Sequence, residues 1–191
     1  FGDDAERFIY FSKACTLLPK EIDFKPDIIH SNDWHTAMVN VFVNDFRHGD
    51  SYYDDIRTLF TIHNLKYQGV FNPDIMRLAG LDGGYFNEND LKYYDAINFM
   101  KAGIIHATAV NTVSENYARE IHYPFYGEGL DGVIREYDYK LSGIVNGIDY
   151  KEWNPATDKL IEQNFDIDSI DKKVNNKFCL LYTSDAADDS L

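Results

Sequence analysis

The apolar positions of the chain alternate between two periods. Phe8, Phe11, Cys15 and Leu18 recur at spacings of three and four, which predicts a helix over residues 4–18 opened by an Asp cap. Pro26 breaks that pattern, and Asp27 to His30 reads as a short buried strand. Val39, Val43 and Phe46 share one side of a helix predicted over residues 34–47, and Arg57 to His63 has the β-branched and aromatic content of a strand. Residues 64–90 predict irregular structure with one short helix near Ile75 to Leu78. Leu91, Tyr94, Ile97, Phe99, Met100 and Ile104 predict a longer helix over 91–105. A strand over 108–113, a helix capped by Ser114 and running to about Ile121, a helix over 129–137 and a strand over 141–145 follow. Short apolar strands alternating with helices imply right-handed crossovers and a mostly parallel sheet, an α/β fold with flanking helices. Residues 180–191 (LLYTSDAADDSL) carry neither period.

Composition narrows the function classes. Of 191 residues, 45% are apolar and 15% aromatic, enough for a packed core. Asp and Glu number 32 against 18 Lys and Arg, a net charge of −14. That balance speaks against a nucleic-acid partner, whose phosphates need clustered Lys and Arg, and against anionic membranes. Ala102 to Val110 is the longest mostly apolar stretch, far short of the roughly 20 residues of a span. The first residues show no signal-peptide pattern, and two distant cysteines, Cys15 and Cys179, favour a reducing, cytoplasmic setting.

In open parallel sheets, ligands bind beyond the carboxyl ends of the strands. The predicted strand ends are followed by His30-Ser31-Asn32-Asp33-Trp34-His35, by His63-Asn64-Leu65-Lys66-Tyr67-Gln68-Gly69, by Ser114-Glu115-Asn116 and by Asn146-Gly147-Ile148-Asp149. Neutral donors and acceptors beside aromatic faces match the hydroxyls and ring faces of a sugar. The competing reading is that these residues cap helices and bond loop backbones. His30, Asp33 and His35 do not make a convincing metal set, because the turn points them apart and no Cys or carboxylate cluster completes a shell. No metal or other cofactor is expected. Gly127-Glu-Gly129-Leu-Asp-Gly132 matches G-x-G-x-x-G, but it follows a helix and Pro124 rather than a strand. No G-x-S-x-G elbow is present.

Six blocks, SNDWHTA (31–37), FTIHNLKYQGVF (60–71), INFMKAGI (97–104), TVSENYAREI (112–121), YGEGLDGVI (126–134) and LSGIVNGIDYKEWNPATD (141–158), stand in order along the chain. Together they resemble the bacterial glycogen synthases and plant starch synthases over about residues 1–178. The resemblance implies a retaining glucosyltransferase that moves glucose from ADP-glucose to the non-reducing end of an α-1,4-glucan. It implies a two-domain GT-B fold, of which this chain would be a partial, Rossmann-like N-terminal domain (1–153), the start of an interdomain link (154–178) and a non-native tail (179–191). It also implies that His63 meets the donor glucosyl group at its 6-hydroxyl, with Asn64 beside it and Asn146 on the donor side. Asp33 and Trp34 would belong to the acceptor-glucan channel, with Tyr67 and Gln68 shaping the same loop. Lys101 and Arg119 are expected to be surface or packing charges. The family's phosphate-gripping lysine and second-domain groups match nothing in this chain, so the isolated polypeptide is expected to be inactive. The alternatives are another two-domain glycosyltransferase, such as a sucrose- or trehalose-type synthase, and a non-catalytic glucan-binding module.

Overall fold

A computed structural model describes residues 2–183 of the chain. Two compact units divide between Asn146 and Gly147. The first opens with α1 (Asp4–Glu21), β1 (Ile28–Asn32), α2 (Asp33–Thr36), α3 (Met38–Arg47) and β2 (Arg57–Ile62). β3 (Val70–Phe71), α4 (Ile75–Ala79), β4 (Lys92–Tyr93), β5 (Ala96–Asn98) and α5 (Phe99–His106) come next. β6 (Ala109–Thr112), α6 (Glu115–Glu120), α7 (Asp131–Glu136) and β7 (Leu141–Gly143) complete it. β1, β2, β6 and β7 form one parallel sheet in that order, so all four carboxyl ends lie on one edge. The α/β architecture with a parallel sheet and flanking helices is the one that the alternating periods predict.

The core lies between this sheet and α3 and α5, where Val41, Phe42, Phe60, Ile62, Phe99, Met100 and Ile104 are buried. Gly103 lets α5 close on the sheet: a Cβ there would stand 2.8 Å from the Phe60 ring and 2.9 Å from the Ala37 methyl. Large-to-small complementarity of this kind fills the interior at crystal-like density.

Helix α1 buries a different stripe from the predicted one. Ala5, Ile9, Ser12 and Thr16 face inward, Phe8 and Cys15 are half-buried, and Phe11 and Leu18 are exposed. Small hydroxyl residues allow close helix packing, and their polar groups are satisfied: the Thr16 hydroxyl donates to the Ser12 carbonyl at 2.9 Å, and the Ser12 hydroxyl donates across to the His35 carbonyl of α2 at 3.4 Å. Hydrophobicity alone does not register that compensation. The Asp cap is also different in kind. Asp3 precedes α1 but its side chain makes no capping bond, and it pairs with Arg7 instead.

Residues 91–98 are not helical. They form an antiparallel hairpin, β4 with β5, joined through Tyr94 in the left-handed region (φ 54°), and β3 pairs on the other side of β5. Leu91, Tyr94 and Ile97 imitate a helical spacing, but the Tyr-Asp turn interrupts it and Asn98 starts the helix, its side chain accepting the Lys101 N–H at 2.9 Å. Lys101 is buried, not on a surface. Its ammonium donates to the carbonyls of Glu88 and Lys92 at 2.7 and 2.5 Å, and burial pushes its pKa below the usual lysine range. The helix predicted over 34–47 is divided at Ala37 into α2 and α3, and the last strand stops at Gly143. Ser114 caps α6 as predicted, its hydroxyl accepting from the Tyr117 N–H at 2.9 Å.

The second unit carries little apolar burial. Leu160, Ile167 and Ile170 are exposed, and side-chain bonds to the backbone organise the segment. Asn164 donates to the carbonyls of Pro155 and Asp158, and Asn176 and Gln163 bond reciprocally. It ends in α8 (Val174–Thr183), so residues 180–183 are helical although their sequence shows no period; the rest of the tail lies outside the described residues. Among the described residues, no helix is long and apolar enough to cross a membrane.

Candidate functional site at the carboxyl edge of the sheet

Chain direction at the ends of β1 and β2 decides which side chains meet. Asp33 follows β1 directly and adopts a left-handed conformation (φ 53°), which Asp tolerates better than most residues. Its carboxylate turns toward the next strand and accepts the backbone N–H of His63 at 2.8 Å. The His63 imidazole stands with Nε2 3.0 Å from the Asn32 side-chain oxygen. The Thr36 hydroxyl holds the backbone of Asn32 at both its N–H (2.6 Å) and its carbonyl (2.7 Å). Asp33 and His63 are thus in contact, and Asn32, not singled out in the sequence, joins them. Its signal was its place inside the first matched block.

The loop after His63 is pinned from three sides. The Asn64 side chain accepts the Lys66 N–H at 3.0 Å, an Asx turn that uses one acceptor of this donor-site candidate. The buried Leu65 gives its N–H to the Tyr117 hydroxyl of α6 at 3.1 Å. Burial pushes the Tyr117 phenol upward; the Leu65 N–H bonded to it opposes the rise, and the Glu128 and Asp33 carboxylates add to it by smaller amounts. It therefore stays a neutral hydroxyl with a proton to donate. Tyr117 is a second residue that the sequence reading passed over. The carbonyls of Gln68 and Gly69 receive the first N–H groups of α5, from Met100 (2.9 Å) and Phe99 (3.0 Å). These are donors that a helix start leaves without internal partners.

Gln68 links three elements: its amide donates to the Glu128 carbonyl at 2.8 Å and accepts from Asn98 at 2.6 Å. Tyr67 is 61% exposed. Trp34 packs edge-on against Phe8 (5.0 Å), stacks with His35 (4.0 Å) and leans on Phe71 (5.7 Å). Gly69, at φ 64°, lies so close that a Cβ would stand 2.5 Å from the indole. Asn146 is exposed three residues past β7, with β6 between β7 and β2. It shares the edge with His63, but no hydrogen bond joins the two among the described residues. His30 is engaged separately, with Thr61 at 2.7 Å. The glycine-rich stretch 127–132 follows α6 and runs into the start of α7, with no strand before it.

A second polar cluster borders an open cavity of about 680 Å³ lined by Asn44, Asp45, Arg47, Tyr85, Asp90 and His106 among others. Tyr85 donates to Asp45 at 2.9 Å. His106 has Nε2 2.7 Å from Asp90 and Nδ1 3.1 Å from the Asn44 amide nitrogen. Arg47 spans Asn44 and the carbonyls of Tyr53 and Ile56.

Residues 1–136 match the family described as the starch synthase catalytic domain. The glycogen synthase of Finegoldia magna is 59% identical over 178 residues, 93% of this chain and 38% of that protein. A Bacillus cereus glycogen synthase is 48% identical over 179 residues, again 38% of its length. The catalytic domain of starch synthase IV from Arabidopsis thaliana, solved bound to ADP and acarbose, superposes with a TM-score of 0.76 at 35% identity. That match covers 97% of this chain and 39% of the Arabidopsis chain. The chain therefore spans well under half the length of these relatives. With matched blocks, parallel sheet and strand-end loops in agreement, it belongs to the starch synthase catalytic domain family.

Proposed function

We propose that this chain supplies one wall of the active site of a retaining glucosyltransferase. The full-length enzyme would move glucose from ADP-glucose to the non-reducing end of an α-1,4-glucan, in the cytoplasm. The observation that carries the reading is the clamp of Asp33 on His63 at adjoining strand ends, on the edge where such sheets take ligands. The glycogen synthase names of the relatives and the ADP and acarbose in the Arabidopsis structure support the substrate class.

Breaking the anomeric C–O bond builds positive charge on the glucosyl ring and negative charge on the departing diphosphate. Pre-aimed dipoles stabilise such charge without reorganising during the reaction. In this reading His63 contacts the donor glucosyl group, and Asn64 and Asn146 lie on the donor side. Asp33 holds His63 and, with Trp34, Tyr67 and Gln68, borders the acceptor glucan. Trp34, half-buried against three aromatic neighbours, would do so through the part of its side chain that stays exposed.

The test is turnover of the full-length enzyme with ADP-glucose and glycogen. His63→Ala is expected to lower kcat by about 10²–10³-fold, the usual loss of one pre-organised group, with the fold intact by circular dichroism. Unchanged turnover would remove His63 from the donor site. Glycogen retention in affinity electrophoresis with no transfer from either ADP-glucose or UDP-glucose would leave a glucan-binding module instead.

A further inference from the structure

The proposed role of His63 leaves open which ring nitrogen faces the substrate, and the geometry answers it. A neutral imidazole carries one proton on two nitrogens, so a neighbour that can only accept selects the nitrogen that holds it. The Asn32 side-chain oxygen stands 3.0 Å from His63 Nε2. An amide oxygen only accepts, which puts the proton on Nε2 and leaves a lone pair on Nδ1. Among the described residues, no hydrogen bond reaches His63 Nδ1.

We propose that Asn32 is a positioning residue that holds His63 in the Nε2–H tautomer and presents Nδ1 as the acceptor for a hydroxyl of the donor glucosyl group. The proposal rests on the glucosyltransferase reading for the identity of that hydroxyl.

Two features make Asn32 suited to this role. The register of the sheet pairs Asn32 with Thr61, and His63 lies two residues further on, the diagonal distance at which side chains of one face reach each other. The backbone of Asn32 is held by Thr36 and its side chain is exposed, so the carboxamide has no part in the core. His106 offers the internal contrast. Its Nδ1 accepts from Asn44 and its Nε2–H donates to Asp90, so that ring has the same tautomer and no nitrogen left for a ligand. Asp33 and Asn32 thus divide the work at His63: the carboxylate fixes its backbone, the carboxamide fixes its ring.

The experiment measures imidazole ¹⁵N shifts of His63 in the full-length enzyme, assigned by their loss in His63→Ala, beside kcat and KM with ADP-glucose and glycogen. Wild type and Asn32→Asp, which both keep an acceptor, are expected to show Nε2–H. Asn32→Leu is expected to show a mixture of tautomers and a kcat about 10–100-fold lower, the usual effect of losing an orienting partner, at little cost in KM for glycogen. Asn32→Ser, smaller and polar, repeats the measurement should the leucine variant aggregate. A dominant Nε2–H signal in Asn32→Leu overturns the proposal. So does a lost tautomer preference with full turnover in an enzyme that His63→Ala inactivates. Full turnover in His63→Ala itself would sink the reading of the site, a separate failure seen in a separate variant.

Discussion

The cluster around Asn44, Tyr85 and His106 and the cluster around Asn32, Asp33 and His63 are built from the same residue types. The first borders a cavity of about 680 Å³ and has more charge. By size and polarity it is the obvious place for a ligand. Its atoms, however, are already committed to one another: Tyr85 to Asp45, both His106 nitrogens to Asp90 and Asn44, and Arg47 to three acceptors. The strand-edge cluster is more exposed and makes fewer bonds, and among the described residues no hydrogen bond reaches His63 Nδ1 and the Tyr117 hydroxyl only accepts one. Satisfied polar networks hold a fold together, and unspent capacity held in a fixed frame is what a ligand can use.

That contrast can be broken most forcefully through the frame of the strand-edge cluster. Gly69→Ala places a methyl 2.5 Å from the Trp34 ring on a backbone with φ 64°. The left-handed conformation costs about 1–2 kcal/mol and the overpacking about 1–3 kcal/mol more. Denaturant melts of the full-length enzyme should show that loss, and glucan extension should fall as the 63–69 loop shifts. An unchanged midpoint would mean that Trp34 yields easily and does not brace the loop.

The satisfied cluster should respond to mutation in stability alone. His106→Leu removes the imidazole partner of Asp90, while Asn44 keeps its bonds to the residue-106 carbonyl and to Arg47, and is expected to cost about 1–3 kcal/mol, leaving turnover per folded molecule unchanged. A selective fall in kcat would reverse the assignment of the two clusters.

The smallest effect is in the pH profile. Burial first, and then the Asp45 carboxylate, hold the Tyr85 phenol above its usual range. A group whose pKa is raised on folding contributes stability below its unfolded pKa and loses it as pH rises past that value. For Tyr85 the loss begins near about pH 10. Between about pH 10 and 11, wild type should lose melting temperature more steeply than Tyr85→Phe. Parallel profiles would show that the phenol titrates alike in both states.

Much of this molecule could be read from residue order because its determinants are local. The β-branched run at 57–62, the Ser114 cap and the punctuation at Pro26 act within a few residues, so the parallel sheet and the edge that carries Asp33, His63 and Gln68 follow from pattern. Competition between local signals set the boundary of that legibility. The apolar spacing of 91–105 fits a helix, but the hairpin buries Leu91 and Ile97 equally well and frees Asn98 to cap α5. The inner face of α1 is carried by Ser12 and Thr16, whose small size matters only once a partner helix is in place.

The chain alone therefore determined the strand and helix alternation, the family resemblance and the carboxyl edge as the candidate site. Tertiary structure decided which polar groups at that edge are spent and which are available. Hydrogen bonds between residues 30 to 60 positions apart, such as His63 to Asp33 or Gln68 to Glu128, depend on strand order and register. No periodicity within one segment encodes them.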